Sequence, residues 1–239
     1  MRRLTLIFSL LFASACQSST NNGLTVMAAS SFQLVAPSLA DGFESETGTA
    51  VSFNLAGSQT LAAQINSGAP ADVFLSANDL AATQAGDRLT QVQPLLTNRL
   101  AILVPQGNPR QITGLASLTD PDLVVVLADP SVPAGAYTAQ ALAAAGVVLQ
   151  PASLDPSVAS VATRVAEGEA DAGVGYITDA ANPRIQALPL GNGVAVEAEY
   201  VAGVIDDSAR GARFLEWLSG DTASQILGDA GFTPLGARL

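Results

Sequence analysis

From Leu24 onward, short apolar runs alternate with longer stretches whose apolar residues recur every three or four positions. LTVMAA (24–29), AVSFNLA (50–56) and ADVFLSA (71–77) read as buried strands. Between them Phe32, Val35, Leu39 and Phe43 carry helical spacing over 31–46, and Leu61, Ala62 and Ile65 repeat it after Ser58. RLAILVP (99–105), LVVVLAD (123–129), ADAGVGY (170–176) and AEYVAGVID (198–206) extend the pattern, with terminal helices expected at 208–218 and 222–230. Such alternation predicts an α/β fold with a mainly parallel sheet flanked by helices. Ligands of open sheets of this kind sit beyond the carboxyl ends of the strands. The strand-to-helix junctions are therefore where function should lie.

The side-chain inventory removes whole classes of chemistry. All ten basic residues are arginine, because the sequence has neither lysine nor histidine. A Ser–His–Asp triad, a Cys–His pair and a Schiff-base lysine are impossible. With one cysteine and no imidazole there is no structural zinc site, and no Walker phosphate loop can end in Gly-Lys-Ser/Thr. Twenty-one acids against ten bases, a formal charge of −11, argue against a nucleic-acid partner.

Residues 1–15 have the three parts of a secretory signal: Arg2 and Arg3, an apolar run over 4–12, and the small residues Ala13, Ser14 and Ala15. The apolar run is about half of the roughly 20 residues a bilayer span requires. Cys16, the only cysteine, follows at once, and FASAC resembles a bacterial lipobox whose cysteine becomes the lipidated mature N-terminus. QSSTNNG (17–23) reads as a flexible tether. Cleavage removes two arginines and no acid, leaving 8 bases and 21 acids, or −13.

Four junctions share one design. Ala28-Ala29-Ser30-Ser31, Ala56-Gly57-Ser58-Gln59, Asp129-Pro130-Ser131-Val132-Pro133-Ala134-Gly135 and Asp155-Pro156-Ser157-Val158 each lead into a helix. Every helix start offers unpaired N–H groups and about half a positive charge, so four converging would sum to about +2, matching a dianion. Serine is also simply a preferred N-cap, so the argument rests on the four together.

LTVMAASSF (24–32), LAGSQTLAAQI (55–65), GAPADVFLSAN (68–78), DPSVPAGAYTAQAL (129–142), GEADAGVGYITDA (168–180) and Gly231-Phe232 occur in this order. Together they resemble the molybdate-binding periplasmic component of bacterial ABC importers, along essentially all of 24–239. The resemblance implies a type II periplasmic binding-protein fold: two α/β lobes, 24–98 with 203–239 and 99–202, joined by two crossing strands near 98–100 and 201–203. It implies an interlobe cleft holding molybdate or tungstate through hydroxyl and backbone donors of Ser31 and Ser58, backbone N–H groups at Ala134 and Val158, and the hydroxyl of Tyr176. The metal is then held through its oxygens, without direct ligands and without a further cofactor. It also implies a monomer in the periplasm or on the outer face of the cell membrane, anchored through Cys16, delivering its ion to an ABC permease of the inner membrane.

A site of donors favours a fully deprotonated tetrahedral anion, because hydrogen phosphate brings a proton that needs an acceptor. Asp155 and Asp179 are the acids that would spoil such a site by intruding. Three other readings stand beside this one: the same fold serving sulfate or another oxyanion, a carboxylate hydrolase built from Asp72, Asp79, Glu167 and Asp171, and a structural lipoprotein without ligand. Trp217, with Phe214 and Leu218, reads as core.

Overall fold

The computed structural model describes residues 23–235 of the chain. The signal segment 1–15, Cys16 and the tether up to Asn22 lie outside the described residues. In chain order the strands are β1 (Leu24–Ala29), β2 (Val51–Ala56), β3 (Val73–Ser76), β4 (Leu89–Pro105), β5 (Val125–Ala128), β6 (Ser153–Asp155), β7 (Ala172–Tyr176), β8 (Ile185–Leu188), β9 (Glu197–Ile205) and β10 (Thr233–Pro234). The α-helices are α1 (Ala36–Thr47), α2 (Ser58–Asn66), α3 (Asp79–Gln84), α4 (Pro133–Ala145), α5 (Val158–Ala166), α6 (Ala209–Leu218) and α7 (Asp221–Asp229). Strands and helices alternate as the apolar periodicity predicts.

The sheets are mixed rather than parallel throughout. In the first, β1 lies between β2 and β3 and runs parallel to both. In the second, β5 lies parallel to β6 and β7. Between these two parallel sets β9 and β4 are inserted antiparallel, giving the order β2-β1-β3-β9-β4-β7-β5-β6. β4 belongs to both sheets: its residues up to Arg99 pair with β9, and from Leu100 on it pairs with β7 and β8. The change of partner along β4 falls at Arg99–Leu100.

The segment expected for the return lies within one strand. Residues 201–203 lie inside β9, whose pairs with β3 and β4 all belong to the first sheet. Just before β9 the Val196 carbonyl accepts the N–H of Leu100 (2.9 Å). An apolar run reads the same on either side of a change of partner; only strand pairing marks it.

Two other elements depart from the periodicity. The expected helix over 31–46 is split into a 3-10 turn, Ser30–Phe32, and α1. Pro37, at the second position of α1, cannot continue a helix backwards. The split leaves Ser30 and Ser31 on a tight turn directly at the end of β1. The first half of β4 is polar and interrupted by Pro94, which sits at a register shift where a missing N–H is tolerated.

The core lies between sheet and helices. Phe43 of α1 meets Phe214 edge-on at 5.0 Å and Trp217 at 5.4 Å, while Phe214 and Trp217 stack at 5.7 Å. Trp217 keeps its indole N–H satisfied on Glu46 (3.0 Å) and is a packing residue, as its helical spacing with Phe214 and Leu218 indicates.

Candidate functional site

The four junctions meet. The turn after β1, the start of α2 after β2, the start of α4 after β5 and the start of α5 after β6 converge on one cleft pocket. Ala29, Ser30, Ser31, Gly57, Ser58 and Ala77 line it from the first sheet's elements; Val132, Pro133, Ala134, Ser157, Val158 and Tyr176 face them from the second's. The cavity is small, about 10 Å³, far below the roughly 300–1,000 Å³ of pockets for drug-sized ligands. All twelve lining residues are neutral.

Each helix start keeps backbone donors free. α2 begins after Gly57 and α4 after Val132, in both cases with no side-chain cap. The first N–H groups of a helix have no intrahelical acceptor. In α4, Pro133 fills the first position, where its missing N–H is no loss, so the next donors are those of Ala134 and Gly135. In α5 the Ser157 side chain caps Ser160 N–H (3.2 Å), and the N–H of Val158, at the first position of the helix, has no intrahelical acceptor. Space at Gly57 is tight: a Cβ there would lie 3.0 Å from the Pro156 carbonyl oxygen and 3.3 Å from Val132 Cγ1. The two walls of the cleft approach each other at that point.

The side chains are equally specific. Ser31, Ser58 and Tyr176 are all buried. Ser31 Oγ accepts the Tyr200 hydroxyl (2.9 Å) and Ser58 Oγ accepts the Ala77 N–H (3.1 Å). The Tyr176 hydroxyl is buried beside the Tyr200 hydroxyl and makes no hydrogen bond of normal geometry. Buried hydroxyls are rarely left so, and burial holds the Tyr176 phenol well above its ordinary pKa, as a neutral donor. All five residues singled out from the sequence, Ser31, Ser58, Ala134, Val158 and Tyr176, lie against this pocket. Ser30, Ala77, Val132, Pro133 and Ser157 join them without having been singled out as donors.

Acids stay out of the pocket. Asp155 is occupied by Ser153, Ser160 and Arg164. Asp179 turns back to accept the N–H of Tyr176 (2.8 Å), thereby fixing the end of β7. The acids weighed for hydrolysis are dispersed: Asp72 holds Thr25 N–H and Ser208, Asp171 pairs with Arg110, and Glu167 pairs with Arg184. Asp79 opens α3.

Asp179 gives the first prediction. Burial raises its pKa to about 7, against the opposing hydrogen bond from Tyr176 N–H. The folded state therefore holds a proton that the unfolded chain releases near pH 4, and stability falls as pH rises from about 4 to 7, then levels off. Asp179→Asn keeps an acceptor for Tyr176 N–H and removes the ionisable group. Thermal unfolding of this variant should lose that slope and show a higher Tm than the parent at pH 8.

Comparison with known proteins gives the same picture. The model of the bacterial extracellular solute-binding protein family matches residues 24–233. The molybdate-binding protein ModA of Mycobacterium tuberculosis is 33% identical over 218 residues, covering 87% of this chain and 84% of that protein. Among solved structures, the periplasmic molybdate-binding protein of Azotobacter vinelandii superposes with a TM-score of 0.70 at 21% identity, over 88% of this chain and 98% of that one. The sulfate-binding protein SubI of Mycobacterium tuberculosis gives 0.76 at 16% identity, over 90% and 88%. The chain belongs to the bacterial extracellular solute-binding protein family, and its fold is the two-lobed one of type II binding proteins.

Proposed function

We propose that this bacterial solute-binding protein captures molybdate, and tungstate with it, in the cleft and delivers the ion to an ABC permease. The observation that carries the reading is a small pocket with only neutral lining residues, into which hydroxyls and helix N-termini offer donors. Burying a dianion is unfavourable unless hydrogen bonds replace its water. Bonds to a charged acceptor are worth about 1.5–3 kcal/mol each, and the helix starts add positive potential without a counter-ion. Ser31, Ser58, Ala134, Val158 and Tyr176 are the donors, and no atom of the protein binds the metal directly. A family of solute-binding proteins makes this a binding protein and not an enzyme.

The mature chain starts at Cys16, lipidated and tethered through residues 17–23, on the outer face of the membrane. One lobe is 24–98 with the C-terminal segment, the other the intervening chain, and the crossings let them close on the ion as a monomer. The relatives named for molybdate favour that ion; the likeness to a sulfate-binding protein is one of fold. Thermal unfolding of residues 17–239 with molybdate, tungstate, sulfate or phosphate separates the readings. Ligand at 1,000 times its Kd adds about 4 kcal/mol, which for this size raises Tm by about 8–16 °C. The expected result is such a rise with molybdate and tungstate only. A rise with sulfate alone would reassign the ion, and none with any of the four would overturn the proposal.

A further inference from the structure

Behind the pocket, Tyr200 of β9 is completely buried and does not line the cleft. Its ring is held edge-on between Phe32 (5.6 Å) and Phe232 (6.0 Å). Its hydroxyl donates to Ser31 Oγ at 2.9 Å, and burial keeps the phenol protonated. A serine hydroxyl has one hydrogen and two lone pairs. With one lone pair of Ser31 taken from behind by the Tyr200 hydroxyl, its hydrogen has the bound anion as the acceptor in front. Turning a lone pair toward the cleft instead would strand that hydrogen in buried surroundings, which is unfavourable. Ser58 is arranged in the same way, with the Ala77 N–H of the backbone in the place of the tyrosine.

We infer that Tyr200 is a positioning residue that sets the ionic form of the solute: by occupying Ser31 Oγ it commits the Ser31 hydrogen to the anion, so the site rejects oxyanions that carry a proton. The inference rests on the oxyanion reading above and extends it to a residue that touches no ligand. Specificity against hydrogen phosphate is then held one layer behind the pocket. Ser58 carries the same polarity from a main-chain donor that no side-chain change removes, so Tyr200 is the half that mutation can reach.

The test is calorimetric titration of residues 17–239 and of Tyr200→Phe with molybdate and with inorganic phosphate near neutral pH. Phenylalanine keeps the ring contacts with Phe32 and Phe232 and removes the hydroxyl, which has Ser31, Asn98 and Tyr176 as polar neighbours; the Ser31→Ala background isolates the part that acts through Ser31. Molybdate affinity should fall about tenfold, the equivalent of one hydrogen bond, while phosphate affinity rises, because Ser31 can now accept. In a Ser31→Ala background, Tyr200→Phe should leave the ratio of the two affinities unchanged. Equal losses for both anions, or an unchanged ratio in the single variant, would overturn the inference and leave the oxyanion reading standing. A parent chain that binds neither molybdate nor phosphate would remove both. Should Tyr200→Phe fail to fold, a fluorinated tyrosine at position 200, a stronger donor, should raise the molybdate-to-phosphate ratio, and an unchanged ratio would count against it.

Discussion

Replacing Ser31 and Ser58 together with alanine lowers molybdate affinity by about 10²–10⁴-fold. Each serine loses a hydroxyl donor to a buried dianion, worth about 1.5–3 kcal/mol, and about 1.4 kcal/mol corresponds to a factor of ten. Their backbone N–H groups remain, so residual weak binding is expected. The substitutions also leave the Tyr200 hydroxyl and the Ala77 N–H without their acceptors, which destabilises the unliganded protein by about 1–3 kcal/mol for each orphaned donor. Titration calorimetry gives the first effect and urea unfolding the second. An affinity within threefold of the parent would contradict the assignment of these serines, provided far-UV circular dichroism shows the fold retained.

Gly135→Ala removes binding by a different route. A Cβ at this position would lie 2.0 Å from the carbonyl oxygen of Asp129, 2.4 Å from its carbon and 2.6 Å from the carbonyl oxygen of Ala128. All three are backbone atoms that hold the end of β5 to the start of α4, so the helix start itself must swing away. Overpacking of this kind destabilises by about 1–3 kcal/mol or more. It also carries the Ala134 N–H off its aim, and a loss of at least about a hundredfold in molybdate affinity is expected from misplaced donors and a cleft that no longer closes. Gly146→Ala is the control. That glycine ends α4 in the left-handed region (φ 65°) with nothing near its missing Cβ, so the change costs about 1 kcal/mol of stability and leaves affinity within error. Equal affinities for the two variants would show that the Val132–Gly135 turn does not shape the site.

Much of this was legible because short-range signals carried it. Strand and helix periodicity gave the α/β alternation, and serine, glycine and proline at strand ends marked four helix starts that meet in space. Local signals run out where pairing is long-range. Nothing in AEYVAGVID distinguishes a strand shared by two lobes from one belonging to the first alone. The mixed orientation of the sheet arises from β4 and β9, whose antiparallel pairing joins residues about a hundred positions apart. Pro37, at the second position of α1, sets the Ser30–Phe32 turn apart from that helix, an effect that apolar spacing alone does not show. Tyr200 was hidden for a different reason: an apolar strand residue looks like core, and only the 2.9 Å contact with Ser31, 169 positions away, connects it with the site.

The most direct measurement is a crystal structure of residues 17–239 grown with molybdate, using data collected above the molybdenum absorption edge. The account predicts one strong anomalous peak in the cleft, with the anion's oxygens at hydrogen-bonding distance from Ser31, Ser58, Ala134, Val158 and Tyr176 and no protein atom bonded to the metal. A peak elsewhere, or a cleft without one in crystals that contain the ion, would contradict it.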